Sequence, residues 1–288
     1  MNFYPFVIGN CNPNNTWVKS EFYDHYIEKN LPKNVYFQES NPADNPTLSE
    51  SYLDILNSLP KEEKERYLFG SWDYLSQNCM LIPSDALRAC LIEPTTPADG
   101  QTYLAIDPAD DGRDSTVFCY MRGQIVYEFE VFAQLNEIKT AKLAQERAIE
   151  LAIKPYNIIV DAVGIGAGCY NTLIEAGLRP IRFIGGESAV QKGFLEFKNK
   201  RTESAWLLRQ AILDKKIKIV KNQRLQNEIA NINYFVDNDR TITLEKKLAI
   251  RSRLGHSPDC FDALCMLNYL KTMRLNAPLT AFSGTLRR

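Results

Sequence analysis

Three strand-like runs follow one another before any long helix intervenes: QTYLAIDPA, DSTVFCYMR and QIVYEFEVFA, between residues 101 and 133. Gly123 separates the last two as a tight turn, which predicts hairpin pairing. Helix and strand then alternate. A long amphipathic helix, NEIKTAKLAQERAIELAIK, is stopped by Pro155. The β-branched run NIIVDAV suits a buried strand, and GCYNTLIEAG is a helix closed by Gly177. The strand RPIRFIGG, the helix NKRTESAWLLRQAILDKK and the strand KIKIV come next. A hairpin, NYFVDND/RTITLEK, and a last helix, PDCFDALCMLNYLKTM, with Pro258 in its first turn, complete the series. Hairpins followed by helix–strand alternation restrict the chain to the α/β class. The expected architecture is a mixed sheet, antiparallel over its first three strands and parallel afterwards, with helices on its faces.

Residues 1–98 lack that alternation. They read as loops and helices, with one helix across WVKSEFYDHYIEKN, another capped by Thr47 or Ser49, and a third opened by Pro60. The Pro-rich stretch LIEPTTPADGQ, 91–101, marks a boundary, giving expected domains of 1–98 and 99–288. No apolar run approaches the roughly 20 residues of a membrane span, and the N-terminus lacks the pattern of a signal peptide. Seven cysteines without C-x-x-C spacing suit free thiols in a reducing cytoplasm. The net charge of −1 conceals an asymmetry: residues 181–288 carry 20 Lys and Arg against 10 Asp and Glu, and residues 1–180 carry 14 against 25. A basic half is an electrostatic footprint for a polyanion or a solvated surface with a sign bias, and charge alone does not separate the two.

Two strand ends deliver an aspartate after an apolar run, Asp107 in AIDPADD and Asp161 in NIIVD. If the strands are neighbours, both carboxylates emerge at the edge where open α/β sheets bind ligands. Asp259 and Asp262 in HSPDCFDAL are three apart on a first helical turn and share a face. Taken singly, a strand-end Asp is usually a turn residue, and an acidic first turn usually compensates the helix dipole. Together, four carboxylates cannot share a dry pocket without cations, and hard oxygen ligands select Mg²⁺ or Mn²⁺. Two such ions would activate a water and stabilise the leaving oxygen of a phosphoryl displacement. The glycines of GIGAG, 164–168, fall short of a dinucleotide fingerprint, because Cys169 stands where a third glycine belongs, so they read as a tight turn. No G-x-x-x-x-G-K-[ST] occurs, so no complete nucleotide-hydrolysing site is encoded.

In order and spacing, AIDPADDGRDSTV, IIVDAVGIGAG, FKNKRTESAW and HSPDCFDAL resemble the nuclease half of phage terminase large subunits, the DNA-packaging motor proteins of tailed phages. GNCNPNNTWVKSEFY and NPTLSESYLDILNSLPKEEKERYLFGSWD resemble the tail of that family's ATPase domain and the linker behind it. The resemblance implies an RNase H-like fold and a metal-dependent endonuclease that cuts double-stranded DNA during packaging in the host cytoplasm. It implies a portal protein and a small terminase subunit as partners. It places Asp107, Asp161 and Asp262 on the family's metal ligands, with Asp259 assisting where some members carry His. Asp114 matches a common family aspartate, and His256 is a phosphate contact or a surface histidine leading a helix. Lys198, Lys200, Arg201 and Arg209, on or near one helix, are expected to contact DNA phosphates, against the plain reading of a solvated helix with Trp206 facing the core. A strand-transferase or junction resolvase of the same fold, or a portal-docking module with degenerate catalysis, stands as an alternative.

Overall fold

The computed structural model describes residues 6–13, 18–59, 61–72, 79–94, 99–109, 114–133, 135–191, 196–237 and 240–276, with the backbone alone at residues 20, 61, 62, 79, 275 and 276. The chain forms two compact units, 1–79 and 80–288. In the first, the helix expected from Trp17 is a π-helical turn, Lys19–Tyr23, running into α1, Asp24–Ile27. Trp17 itself lies outside the described residues. Helix α2, Glu50–Ser58, is capped by Ser49, whose hydroxyl accepts the Tyr52 N–H. Helix α3 spans Lys61–Tyr67, and the Pro60 expected to open it lies outside the described residues. Tyr23 stacks on Trp72, with ring centroids 4.8 Å apart, and Phe37 packs beside both.

The strand β1, Cys79–Met80, leads into the second unit, where α4 is Ser84–Cys90 and β2 is Leu91–Ile92. The three successive strands are β3 (Thr102–Asp107), β4 (Ser115–Arg122) and β5 (Ile125–Ala133), followed by α5 (Glu137–Glu150), β6 (Ile158–Asp161), α6 (Ile165–Glu175) and β7 (Ile181–Phe183). Then come β8 (Glu196–Phe197), α7 (Lys200–Leu213), β9 (Lys218–Val220), α8 (Gln223–Ala230), β10 (Asn233–Val236), β11 (Thr241–Leu244), α9 (Lys247–Leu254) and α10 (Asp259–Asn276). The main sheet has seven strands in the order β2-β9-β5-β4-β3-β6-β7. Pairing is antiparallel for β3–β4 and β4–β5, and parallel for β3–β6, β6–β7, β5–β9 and β2–β9. This is the expected mixed sheet. The hairpin β10–β11 leaves it and pairs with β8, a strand the sequence does not announce.

The compact second unit begins earlier than the composition boundary at 98/99. Leu91 and Ile92 pair with Ile219 and Val220, and α4 packs on α7, so these residues belong to the sheet's far edge. The Pro-rich composition at 91–101 therefore does not coincide with the division between the two units at 79/80.

Strand alternation decides which layer each side chain enters. Leu104, Ile106, Phe118, Tyr120, Ile158 and Val160 face one way, into a core closed by Ala141, Ala144 and Ala148 of α5 and Leu173 of α6. The alternate positions, Ala105, Val117, Cys119 and Ile159, are buried on the opposite side, where α10 lies across β3, β4 and β6. Helix α10 is buried around its circumference from Asp259 to Leu270, as expected for a helix with little polar face. By the same parity Asp107 and Asp161 fall on the α10 side. Glycine fixes the last of these: a Cβ on Gly166 would sit 1.8 Å from the Asp161 carbonyl oxygen, so only glycine lets α6 start this close to the end of β6. Gly166→Ala should therefore lower stability by about 2 kcal/mol or more in urea unfolding, with α6 forced from the strand; an unchanged midpoint would show that the contact is loose.

Candidate functional site

Ile106 pairs with Val160 in parallel register, so the next residues, Asp107 and Asp161, end adjacent strands side by side. Asp107 is 7% exposed, and Asp259 and Asp262 are 4% and 7% exposed in the first turn of α10. The four carboxylates predicted from sequence are thus brought to one rim, close enough for each to feel its neighbours. Burial raises the Asp107 carboxyl well above its usual range; Lys247 opposes this, and Asp161, Asp262 and Asp259 add to it. Burial likewise raises Asp161, with Lys247 opposing, although its side chain accepts the Val163 N–H at 3.3 Å. Burial pushes Asp259 up to about 6.

Asp262 behaves oppositely. Burial would raise it, but two cations outweigh burial and its carboxyl lies below the ordinary value. Arg201 Nε donates to Asp262 Oδ1 at 3.1 Å, and the Lys247 ammonium lies 2.7 Å from Oδ2. Arg201 is itself held by the Glu245 carbonyl, which accepts NH1 at 3.2 Å. Lys247 opens α9, where a helix dipole disfavours positive charge. Asp262 and Asp107 more than offset this and raise its ammonium above the ordinary lysine value. The side chain is 44% exposed along its length, yet its charged end reaches into the acidic rim. Sequence reading missed Lys247, because KK after RTITLE looks like the tail of a strand. The available signal was a lysine pair directly before an unassigned helix.

Asp259 rests on a second buried network. Its Oδ2 accepts the Ser115 N–H and Arg224 NH2, each at 3.1 Å. Arg224 also donates to Glu228 Oε1 at 3.0 Å and to the Ser115 hydroxyl at 3.2 Å. Glu228 Oε2 then accepts the Phe261 N–H at 2.8 Å, so α8 satisfies one of the unpaired donors that open α10. Burial raises the fully enclosed Glu228 carboxyl to about 7, against these partners. Neither Arg224 nor Glu228 was legible, since α8 carries no motif. His256 is turned to the Ser257 carbonyl at 2.7 Å and stands 3.8 Å from Glu228. Asp114 meets Arg251 at 3.3 Å.

The cations expected to contact DNA divide by position. Lys198 is exposed. Lys200 is ion-paired with Glu187. Arg201 is part of the carboxylate site. Arg209 is only 5% exposed, its guanidinium 4.9 and 5.7 Å from the Trp206 and Tyr234 ring centroids, so the expectation of a phosphate contact there is corrected: the side chain belongs to the core. Among the described residues no three His, Cys, Asp or Glu side chains converge closely enough to cage an ion as they stand. Asp262 and Asp259 instead spend oxygens on Arg201, Lys247, Arg224 and Ser115. In kind, the donors at the rim suit a hard divalent ion: they are carboxylate oxygens, and the nearby thiols of Cys260 and Cys265 are held protonated by burial. Among the described residues, no helix is long and apolar enough to cross a membrane.

A family model described as the terminase RNaseH-like domain matches residues 104–269. No curated protein sequence matches the chain. Among solved structures, the chain is similar to the nuclease domain of the large terminase subunit gp2 of bacterial virus Sf6, with a TM-score of 0.57 and 22% identity over 65% of this chain and 97% of that one. It is similar to a lysine-to-alanine mutant of the same domain solved with manganese, with a TM-score of 0.53 and 21% identity over 65% and 98%. The large terminase of a thermophilic bacteriophage matches with a TM-score of 0.53 and 16% identity over 92% of this chain and 61% of that one.

Two outcomes follow from the Arg224 network. Arg224→Ala leaves Glu228 and Asp259 buried without their cation, and should lower stability by roughly 2–4 kcal/mol in chemical unfolding; a loss near zero would mean the network is ornamental. A carboxyl raised in the fold binds its proton more tightly folded than unfolded. Its contribution is full below pH about 4.5 and is lost as pH rises through about 7. Glu228→Gln removes that titration, so its stability relative to the parent should rise from about pH 5 to about pH 8. A pH-independent difference between the two proteins would contradict the assignment.

Proposed function

Because the chain belongs to the terminase RNaseH-like domain family, we propose that it is a divalent-metal-dependent DNA endonuclease whose centre is the rim of Asp107, Asp161 and Asp262, with Asp259 assisting. One observation carries this reading. Carboxylates from two adjacent strand ends and a buried helix start are packed at one edge, although burial and mutual repulsion both oppose their charge. A fold that served only stability would gain from replacing them with apolar residues. Mg²⁺ or Mn²⁺, two ions in the full reading, would supply Lewis acidity and a nucleophilic hydroxide at neutral pH.

The chain's own residues do the rest. Asp107 and Asp161, fixed by strand register, and Asp262, fixed by Arg201, would hold the ions. Arg224 and Ser115 keep Asp259 turned to the same rim. Lys247 and Arg201 bring positive charge beside the carboxylates, which suits a polyanionic substrate at a site that would otherwise repel it. The exposed Lys198 would add a phosphate contact that carries no sequence information. Double-stranded DNA is the substrate in this reading, and the chain acts in genome packaging in the host cytoplasm with a portal protein and a small terminase subunit. In this reading the first compact unit, 1–79, represents the end of the ATPase domain and its linker. Strand-transferases and resolvases share such carboxylates; family membership favours the terminase.

Plasmid nicking in Mn²⁺ tests the assignment. The unsubstituted chain should convert supercoiled DNA to open and linear forms, and Asp107→Asn should abolish this. The same variant removes a buried charge from among like charges, so it should unfold at the same temperature as the parent or a higher one. Undiminished cutting by a folded Asp107→Asn variant would reject the reading.

A further inference from the structure

The main sheet ends on β2 at one side and on β7 at the other, strands of two and three residues. A longer open edge lies inside that order, on β5. Strand β9 pairs with β5 only at Ile125 and Val126, whereas β5 runs on to Ala133, paired with β4 to its end. A bulge stands at the point of parting. The β4–β5 register shifts between Tyr120 and Met121, so that Tyr127 has no opposite residue, and a bulge of this kind bends its strand. In an antiparallel pair every second residue turns its N–H and C=O away from the partner. From 127 to 133 those outward groups meet no other backbone among the described residues. Glu128, Val131 and Ala133 are exposed along the same stretch.

The two faces of this edge differ. Glu128 and Glu130 stand opposite Tyr120 and Phe118, on the side that α5 covers. Phe129 and Val131 stand opposite Cys119 and Val117, on the α10 side, and Val131 is 39% exposed. The first face is short of positive charge. Arg147 donates to Glu130 and to Glu150, each at 2.7 Å, while Glu128 makes no ion pair among the described residues. Burial first, and then Glu130 and Glu150, raise the Glu128 carboxyl, with Arg147 opposing. A second cation beside it would favour its ionised form.

We propose that the open edge of β5 is a docking site for an extended segment of a partner protein, added as a further strand in which basic side chains alternate with apolar ones. Strand addition supplies the missing main-chain bonds, and the alternating side chains supply specificity. Successive side chains of the added strand fall on opposite faces. Its lysines or arginines then stand beside Glu128 and Glu130, and its apolar residues beside Phe129 and Val131. A second copy of this chain fits less well. Two β5 edges paired antiparallel about Phe129 or Glu130 would set glutamate against glutamate, and like charges directly opposite destabilise a sheet. A nucleic acid would bring phosphates to the acidic face. Bulges and charges guard an edge against its own kind; here they leave it open to a basic strand. The site shares no residue with the carboxylate rim, so the inference does not depend on the nuclease reading.

The probe is a short fluorescent peptide of alternating lysine and valine, added to the full chain and followed by anisotropy. One control peptide has glutamate in place of lysine, and another has the same lysines and valines in two blocks. The alternating peptide should bind, and both controls should bind about tenfold more weakly or worse. Hydrogen–deuterium exchange should slow within residues 127–133 when the alternating peptide is added. Glu128→Lys, at an exposed position, should weaken binding by about tenfold. No binding of the alternating peptide, equal binding of the block peptide, undiminished binding by Glu128→Lys, or slowed exchange only outside 127–133 would each overturn the proposal. The peptide controls and the exchange measurement use the unsubstituted chain, so they decide the matter even should Glu128→Lys fail to fold.

Discussion

Asp107, Asp161 and Asp262 repel one another at a rim where water is scarce, and two cations brought in from α7 and α9 let them coexist. Arg201 and Lys247 both bind Asp262, and Lys247 also faces Asp107 and Asp161. The effect on the acids is unequal. The carboxylate held by two cations is driven towards ionisation, while burial, opposed by Lys247, still drives its neighbours at the strand ends towards protonation. Added positive charge at such a rim would pull the raised carboxyls back towards their ionised forms. The rest of the second unit serves this placement. Strand parity turns Asp107 and Asp161 to the α10 side, Gly166 lets α6 close against β6, and α8 anchors the start of α10 through Glu228.

Much of this was legible because local pattern and global fold agree. The strands β3 to β5 alternate cleanly and are joined by a glycine turn. The run IIVD is short and apolar, and each aspartate follows an element that fixes it. What failed to show was of two kinds. Two-residue strands such as β2 and β8 are made by their partners, Ile219 and Val220 for one and Thr241 and Ile242 for the other, and have no period of their own. Helices α8 and α9 are short and polar, and their importance lies in single charged side chains that act across the fold.

The basic residues show the limit most sharply. FKNKRTESAWLLRQ places four cations within a dozen residues, and by charge alone they look alike. In the fold, Arg209 packs against two aromatic rings, Lys200 answers Glu187, Arg201 answers Asp262, and Lys198 is the exposed one. A cation's role depends on which carboxylate or ring the tertiary structure brings to it, and composition holds no information about that. The aspartates were easier, since strand ends and a helix start are themselves places in the fold.

Anomalous scattering from crystals grown in Mn²⁺ addresses the metal-centre claim most directly, because it locates the ion without relying on catalysis. The account predicts a peak bounded by the carboxylates of Asp107, Asp161 and Asp262. Crystals saturated with Mn²⁺ that show no peak there, with the Lys247 ammonium still seated on Asp262, would contradict it.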